Sequence, residues 1–586
     1  MSATEPAHSH EPNPPATEKY PRLAVGLLLA VFAFLLFFRL GHYALWDDEA
    51  VTAFQTKALL QGGDISSATV DGGKNMYGYD ANARILHKGR NVHAPPLPPY
   101  VVAPFVLLFG QNETALRLPF ALCGLLSVIA LLWGLWRFQP SRMAQVLACL
   151  ALIGNVSLIL HCRSARYYSL ALLFSILVVI CYLNRNGGRR FLIGLSLASI
   201  GLFASNVVNF AMLFGTLAVD YAVFERRRLR GDWRRLVAAL APAALVCGMI
   251  LSRFNPLLTQ DADRLTTGEW SLLNHAQIWL YRWRDLSSCE FIPGALALAS
   301  LAVAVWKKDR PLLRAWLCAL VYCTIAALAA TQQGGGWIFT DVRHVVPLIA
   351  LFVFISVRTL LLLTRGRWCF ALPLALLAFG TNLLSGGPLL EARFPLWPRV
   401  LGTAYAGKRA PDSGDLRHGL RSTLADYLCE LADARVDPYR LTRNYIDKNI
   451  PENALVWVLP WYCAHALVPL SPGPVYGWQL QWPPREDLKH LSEKFYMGRV
   501  PPDYIICFGP VLWEWLVPTL QKLNSPQMNY ERVAVLDCYW LPTHRPELFW
   551  RTFKPVKGYD PNIEGIHILK RVPPPPPAPT PPAKNP

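Results

Sequence analysis

The sequence predicts an α-helical polytopic membrane protein of about eleven transmembrane helices plus interfacial helices, followed by a soluble C-terminal α/β domain. Three observations lead there. Of its 586 residues 53% are hydrophobic and only 16% charged, and the mean hydropathy of +0.26 is too high for a soluble globular chain. The basic residues fall in short clusters between apolar runs, as they do in cytoplasmic loops. From Gly386 onward the composition becomes that of a soluble protein.

Residues 1–21 are Pro-rich and cannot bury a core, so they read as disordered. The first apolar run, Leu23 to Phe38, follows about twenty polar residues, and Gly41-His42-Tyr43 makes a poor cleavage site. The run therefore stays as a membrane helix. Residues 97–110 are short and hold three prolines, which suits a helix lying in the outer interface. Later spans fall at 115–136, 143–161, 167–184, 191–204, 207–223, 236–252, 290–306, 312–330, 343–363 and 368–385.

The side is set by five basic clusters: Arg137 and Arg142; Arg185, Arg189 and Arg190; the six arginines from Arg226 to Arg235; Lys307, Lys308, Arg310 and Arg314; and Arg358, Arg365 and Arg367. Placing all five in the cytoplasm demands two spans between neighbours, which the apolar runs supply. The N-terminus is then cytoplasmic. The polar loops 41–96, 253–289 and 331–342 face the exterior, together with everything after 386. The expected location is the plasma (inner) membrane.

The transmembrane domain is thus 22–385, with 41–96 its first exoplasmic loop, and the soluble exoplasmic domain is 386–571. Within the latter, 437–450 reads as a helix, while Ala454–Leu459, Tyr504–Gly509 and Val533–Asp537 read as strands. Residues 572–586 form a Pro-rich disordered tail. The formal charge of +18 is accounted for by the clusters, so nucleic acid is excluded as a partner. The thirteen cysteines lack metal-type spacing. Cys429, Cys463, Cys507 and Cys538 form one or two disulfides or remain buried free thiols.

Four polar groups collect at the outer ends of the spans. They are Asp47, Asp48 and Glu49; His93-Ala94-Pro95-Pro96, preceded by Asp80, His87, Lys88 and Arg90; His161-Cys162-Arg163-Ser164-Ala165-Arg166-Tyr167-Tyr168; and Thr340-Asp341-Val342-Arg343-His344. Carboxylates facing arginines at headgroup depth suit a phosphate-bearing lipid and a hydroxyl that must lose its proton. Each group also has a plainer role: acids cap a following helix, arginines snorkel, and tyrosines join the aromatic belt.

The order Trp46-Asp47-Asp48-Glu49, His93-Ala94-Pro95-Pro96, Ala115-Leu116-Arg117-Leu118-Pro119, Ser164-Ala165-Arg166-Tyr167 and Arg343-His344-Val345-Val346-Pro347 resembles the GT-C glycosyltransferases. Within them it is similar to the branch of protein O-mannosyltransferases and the lipid A aminoarabinose transferase (glycosyltransferase family 39). The resemblance covers residues 20–365 or so.

The resemblance implies a GT-C-like fold and an inverting transferase. Such an enzyme takes a sugar from a polyprenyl-phosphate carrier on the exoplasmic face and gives it to a cell-envelope glycan, lipid or protein. Asp48 or Asp47 is then the general base beside Glu49. Arg166 and Arg343 are donor-phosphate ligands, joined by Tyr167, His93 and Arg163. Family members can hold a divalent cation near the acidic pair, which here would fall to Asp48 and Glu49. Sugar identity and acceptor are not encoded in any recognisable motif. The rival reading is a transporter or flippase of lipid-linked saccharides without transferase activity. That reading places polar residues near the bilayer midplane, whereas here they stand at the span ends.

One expectation is testable at once. A reporter active only outside the cytoplasm and fused after Gly386 is active, while a cytoplasm-only reporter fused there is silent; the reverse pattern overturns the sidedness.

Overall fold

The computed structural model describes residues 19–60, 96–225, 229–253, 272–288, 292–329, 342–385, 422–433, 436–460, 463–467, 470, 473–477, 502–509, 529–539 and 559–572. A helix occupies each of the apolar segments identified above. They are α1 (Lys19–Phe37), α4 (Glu113–Phe138), α5 (Arg142–Gly154) with α6 (Val156–Arg163), α7 (Tyr168–Leu183), α8 (Arg189–Ser205), α9 (Val207–Phe224) and α10 (Leu229–Arg253). The series continues with α12 (Gly294–Trp306), α13 (Arg310–Leu328), α14 (Ile349–Thr364), which extends a 3-10 turn over Val342–Leu348, and α15 (Trp368–Gly380). Between these lie α2 (Asp47–Leu60), α3 (Leu97–Phe109) and α11 (Leu272–Ser288). The chain is a multi-pass helical membrane protein. Among the described residues five helices are long and apolar enough to cross a bilayer unaided, six if α5 and α6 count as one span. Helix length alone therefore does not give eleven crossings.

Two expectations are corrected. The span over 143–161 is not straight: it bends by 70° between α5 and α6. Asn155 breaks it, leaving helical geometry while its side chain accepts from the Leu158 amide at 2.8 Å and caps the next helix. The bend delivers the end of α6 and residues 164–167 to the acidic cluster. Second, the polar stretch 253–289 is not all loop. It carries α11, whose Trp283 stacks on Trp316 at 5.8 Å and lies 6.0 Å from Phe352.

The helix over 97–109 forms as expected, with Pro98 and Pro99 in its first turn and Leu107, Leu108 and Phe109 exposed at its end. Its neighbour α2 has two apolar faces. Ala50, Phe54 and Ala58 join the core of the C-terminal domain, while Ala53 packs with Val102, Leu116 and Phe120 of the helical bundle. The helix that starts with the acidic cluster is thus wedged between both parts of the molecule.

In the C-terminal region α16 (Thr423–Ala432) and α17 (Pro438–Asn449) precede a mixed five-stranded sheet of order β2-β1-β3-β5-β4. Its strands are β1 (Leu455–Leu459), β2 (Val475–Gly477), β3 (Tyr504–Phe508), β4 (Tyr530–Leu536) and β5 (Ile566–Arg571). β1 runs parallel to β2 and β3, and β5 antiparallel to β3 and β4. β1, β3 and β4 are the strands read from the sequence. β2 has only three residues, and β5 borders the Pro-rich tail, so neither stood out. Cys429, Cys463, Cys507 and Cys538 are thiols not joined in disulfides.

His567 of β5 is fully buried, opposite Cys507 and Val535. Burial, with Arg532 nearby, holds its pKa below the ordinary 6.5. The folded domain therefore keeps His567 neutral, while the unfolded chain takes up a proton below that pH. Stability is full above about pH 6.5 and falls as the pH drops, by up to about 1.4 kcal/mol per unit. Thermal unfolding of the detergent-solubilised chain at pH 7.5 and 5.5 shows this loss, and His567→Gln reduces it; an unchanged pH slope in the variant refutes the assignment.

Candidate active site

The site is built on Glu49 and Arg117, both buried at 1% and 6% exposure. Arg117 Nε donates to Glu49 Oε1 at 2.8 Å and Nη2 to Oε2 at 2.5 Å, a two-pronged pair. The remaining guanidinium protons reach the carbonyls of Leu40 at 3.2 Å, Tyr43 at 2.6 Å and Ala44 at 2.7 Å. Glu49 also accepts from the Trp46 amide at 3.2 Å and the Ala165 amide at 2.7 Å. All five donors of Arg117 and both oxygens of Glu49 are thereby used twice over or to capacity. Gly41 packs against Thr114 so closely that a side chain has no room there, which seats the loop on α4.

This arrangement corrects the reading of Glu49. Its lone pairs are taken by Arg117 and two amides, so a proton or a cation would have to displace one of these bonds. Arg117 stands in one of the quoted motifs, where the letters alone assign it no role; a buried arginine beside a buried acid is its structural signature.

Asp48, one residue earlier, faces the other way. Its carboxylate pairs with Arg343 Nη1 and, at 3.5 Å, with Arg166 Nη2. The side chains are 24% exposed for Asp48, 20% for Arg343 and 12% for Arg166, so the cluster is open to solvent yet largely enclosed. Burial opposes the charge on Arg166, but the adjacent Asp48 carboxylate outweighs it and holds the guanidinium firmly protonated. Aromatic groups floor the cluster. Trp46 lies 6.0 Å beneath Arg343 and Tyr167 5.6 Å from Arg166. The Tyr167 hydroxyl is 3.2 Å from His344 Nδ1. Tyr167 thus supports Arg166 and meets His344.

Arg163 does not join this group. Its guanidinium donates to the carbonyls of Leu35 at 2.9 Å, Leu36 at 3.0 Å, Phe38 at 2.8 Å and Arg39 at 3.0 Å. It closes the C-terminal end of α1, whose last carbonyls lack helical partners. The expectation of a phosphate ligand there is replaced by that of a helix cap. His93 and the side chain of Asp47 lie outside the described residues, as do Asp80, His87, Lys88, Arg90 and Asp341.

The C-terminal region is fastened to the same loop. The Tyr43 hydroxyl donates to Glu430, and the Ala44 amide to Asp437. Arg440 Nη2 donates to the Gly41 carbonyl at 2.8 Å, and Arg443 pairs with Glu113 at the start of α4 at 3.0 Å. For a divalent cation the described donors do not fit: no group of three or more His, Cys, Asp or Glu converges among them, Glu49 is saturated, and Asp48 faces two cations. No step is therefore routed through a metal.

A helical membrane bundle with an appended α/β domain is a fold the chain shares with solved structures. Residues 93–250 match the family model described as dolichyl-phosphate-mannose-protein mannosyltransferase. Among solved structures the chain is similar to ArnT from Cupriavidus metallidurans, bound to undecaprenyl phosphate, with a TM-score of 0.56 at 16% identity over 94% of this chain and 98% of that one. The apo form of that protein gives a TM-score of 0.51 at 16% identity, covering 94% and 98%. At this identity the likeness is one of fold. No curated protein sequence matches the chain significantly.

Removing either half of a buried, saturated ion pair leaves an uncompensated charge and costs about 3–5 kcal/mol. Arg117→Ala and Glu49→Gln accordingly give little monodisperse protein in size-exclusion chromatography, while the paired Glu49→Leu, Arg117→Met change restores part of it. Asp48→Asn elutes as wild type. Normal folding of both single variants would show that the pair does not hold the site together.

Proposed function

We propose that the protein is an integral membrane glycosyltransferase that moves a sugar from a polyprenyl-phosphate donor to a hydroxyl-bearing acceptor, with Asp48 as general base and Arg166 and Arg343 as the donor-phosphate clamp. The observation that carries this reading is the single carboxylate of Asp48 held between two guanidinium groups at helix ends, with Glu49 excluded by its bond to Arg117. The fold likeness to a protein solved with undecaprenyl phosphate and the mannosyltransferase match over 93–250 support the same donor class.

In the resting site the arginines are occupied by Asp48. A donor phosphate offers them a better, forked partner and takes the place of the carboxylate on them, which frees Asp48. Asp48 then accepts the proton of the acceptor hydroxyl as that oxygen bonds to C1 of the sugar. The bond from C1 to the phosphate oxygen breaks, and its electron pair leaves with polyprenyl phosphate. One displacement inverts the anomeric carbon. The arginines neutralise the charge that grows on the leaving phosphate. The acceptor reaches the site from the exoplasmic side, as a cell-envelope glycan, lipid or exported protein.

The test is transfer in membranes supplied with polyprenyl-phosphate sugars. Asp48→Asn lowers turnover about a hundred- to ten-thousandfold at normal protein level. Arg166→Ala and Arg343→Ala weaken polyprenyl-phosphate binding about ten- to a hundredfold, and lysine restores it only in part. Near wild-type turnover and donor affinity in all three would reduce the cluster to a helix cap with headgroup anchors.

A further inference from the structure

A second basic feature lies at the opposite face of the bundle, away from the acidic centre. Arg343 opens the span Arg343–Thr364, whose 22 residues rise about 33 Å, enough to cross the hydrocarbon core. Arg365 and Arg367 follow at its far end, on either side of Gly366. There the chain reverses into α15, with Arg365 in a left-handed conformation, φ 51°, and Gly366 at φ 68°.

Between the ends of α14 and α15 runs a cleft of about 620 Å3. Its rim carries Arg365 and Arg367, and its walls are apolar, formed by Phe370, Pro373 and Leu377 among others. Phe370 is 58% exposed on a membrane span, so apolar surface facing lipid lies directly beside two cations. Pro373 has no N–H to bond the Cys369 carbonyl one turn earlier, and Cys369 also lines the cleft.

The described basic residues of this face fall into paired and unpaired groups. Arg358, two turns back on α14, pairs with Asp309 at 2.7 Å, Arg314 with Asp220 at 2.6 Å, and Arg185 with Glu225 at 3.1 Å. Among the described residues Arg365 and Arg367 have no acidic partner, and no acid lines the cleft. Two cations above an apolar slot at the end of a membrane span call for a ligand with an anionic head and hydrocarbon tails.

We propose that the cleft between α14 and α15 binds one anionic phospholipid, its phosphate on Arg365 and Arg367 and its acyl chains against Phe370, Pro373 and Leu377. This site is separate from the donor site and stands whether or not the transferase reading holds.

The experiment is native mass spectrometry of the full chain in non-ionic detergent, titrated with phosphatidylglycerol or with phosphatidylcholine of the same chains. One phosphatidylglycerol binds more tightly than any phosphatidylcholine. Arg365→Gln or Arg367→Gln weakens it about fivefold, and the double variant about thirtyfold. Leu377→Trp, which keeps both arginines but fills the slot, weakens it too. Size-exclusion profile and polyprenyl-phosphate binding at the other face, both unchanged, report folding; should the double variant fail them, the single variants and the wild-type comparison decide. Equal retention of the two lipids, undiminished phosphatidylglycerol binding in the variants, or displacement of the lipid by millimolar inorganic phosphate would overturn the proposal, the last by showing a site for phosphate alone.

Discussion

The bond between Glu49 and Arg117 is the constraint on which the rest of the site depends. Two charges taken out of water lose several kcal/mol of hydration each, and their attraction offsets this only when every donor and acceptor is used. Here they are: Arg117 reaches three carbonyls of the 40–44 loop as well as Glu49, and Glu49 reaches the amides of Trp46 and Ala165. One pair thereby ties α4, the first loop, the start of α2 and the turn before α7. What it contributes is geometry. Asp48 precedes Glu49 and Arg166 follows Ala165, so the two residues that meet across the site are each one peptide from an atom fixed by the same carboxylate.

The C-terminal domain is part of that geometry. It packs on one face of α2 while the bundle packs on the other, and its Asp437, Glu430 and Arg440 bind the loop that Arg117 also binds. Burial holds the Asp437 carboxyl above its usual range, and the amides of Ala44, Arg440 and Tyr439 counter this. Loosening the domain from α2 would release the side of the loop opposite the acidic cluster. Among the described residues, the contacts of the domain reach the loop and α2, through which it bears on the position of Asp48.

Much of this was legible in the sequence for simple reasons. Apolar runs bounded by arginines locate helices without knowledge of packing, and three strands of consecutive β-branched and aromatic residues announce a buried sheet. The break at Asn155 was not legible, because one asparagine in an apolar run is as easily a tolerated polar residue as a cap. The helix α11 was hidden by its polar composition; its tryptophans face Trp316 and Phe352, partners far away in sequence. Adjacent acids posed a subtler difficulty. Asp48 and Glu49 look alike in a string of letters, and only the fold shows that helix geometry turns one toward Arg117 and the other toward Arg166 and Arg343. In the same way Arg163 and Arg166 share a motif but serve a helix end and a carboxylate respectively.

The charge balance of the site agrees with the proposed reaction at both of its ends. At rest, among the described residues, the Asp48 carboxylate and the guanidinium groups of Arg166 and Arg343 sum to a single positive charge, which the singly charged phosphodiester of a polyprenyl-phosphate sugar would neutralise. After transfer the proton resides on Asp48, so the protein side carries two positive charges. The departing polyprenyl phosphate is now a monoester and carries a charge of about −1.5 to −2 at neutral pH. Each unit of negative charge that moves to the leaving group is matched by one that Asp48 gives up. Glu49 does not enter this sum, because its charge is matched by Arg117. In the proposed reaction the acid paired with Arg117 holds the geometry and its neighbour Asp48 carries the change of charge.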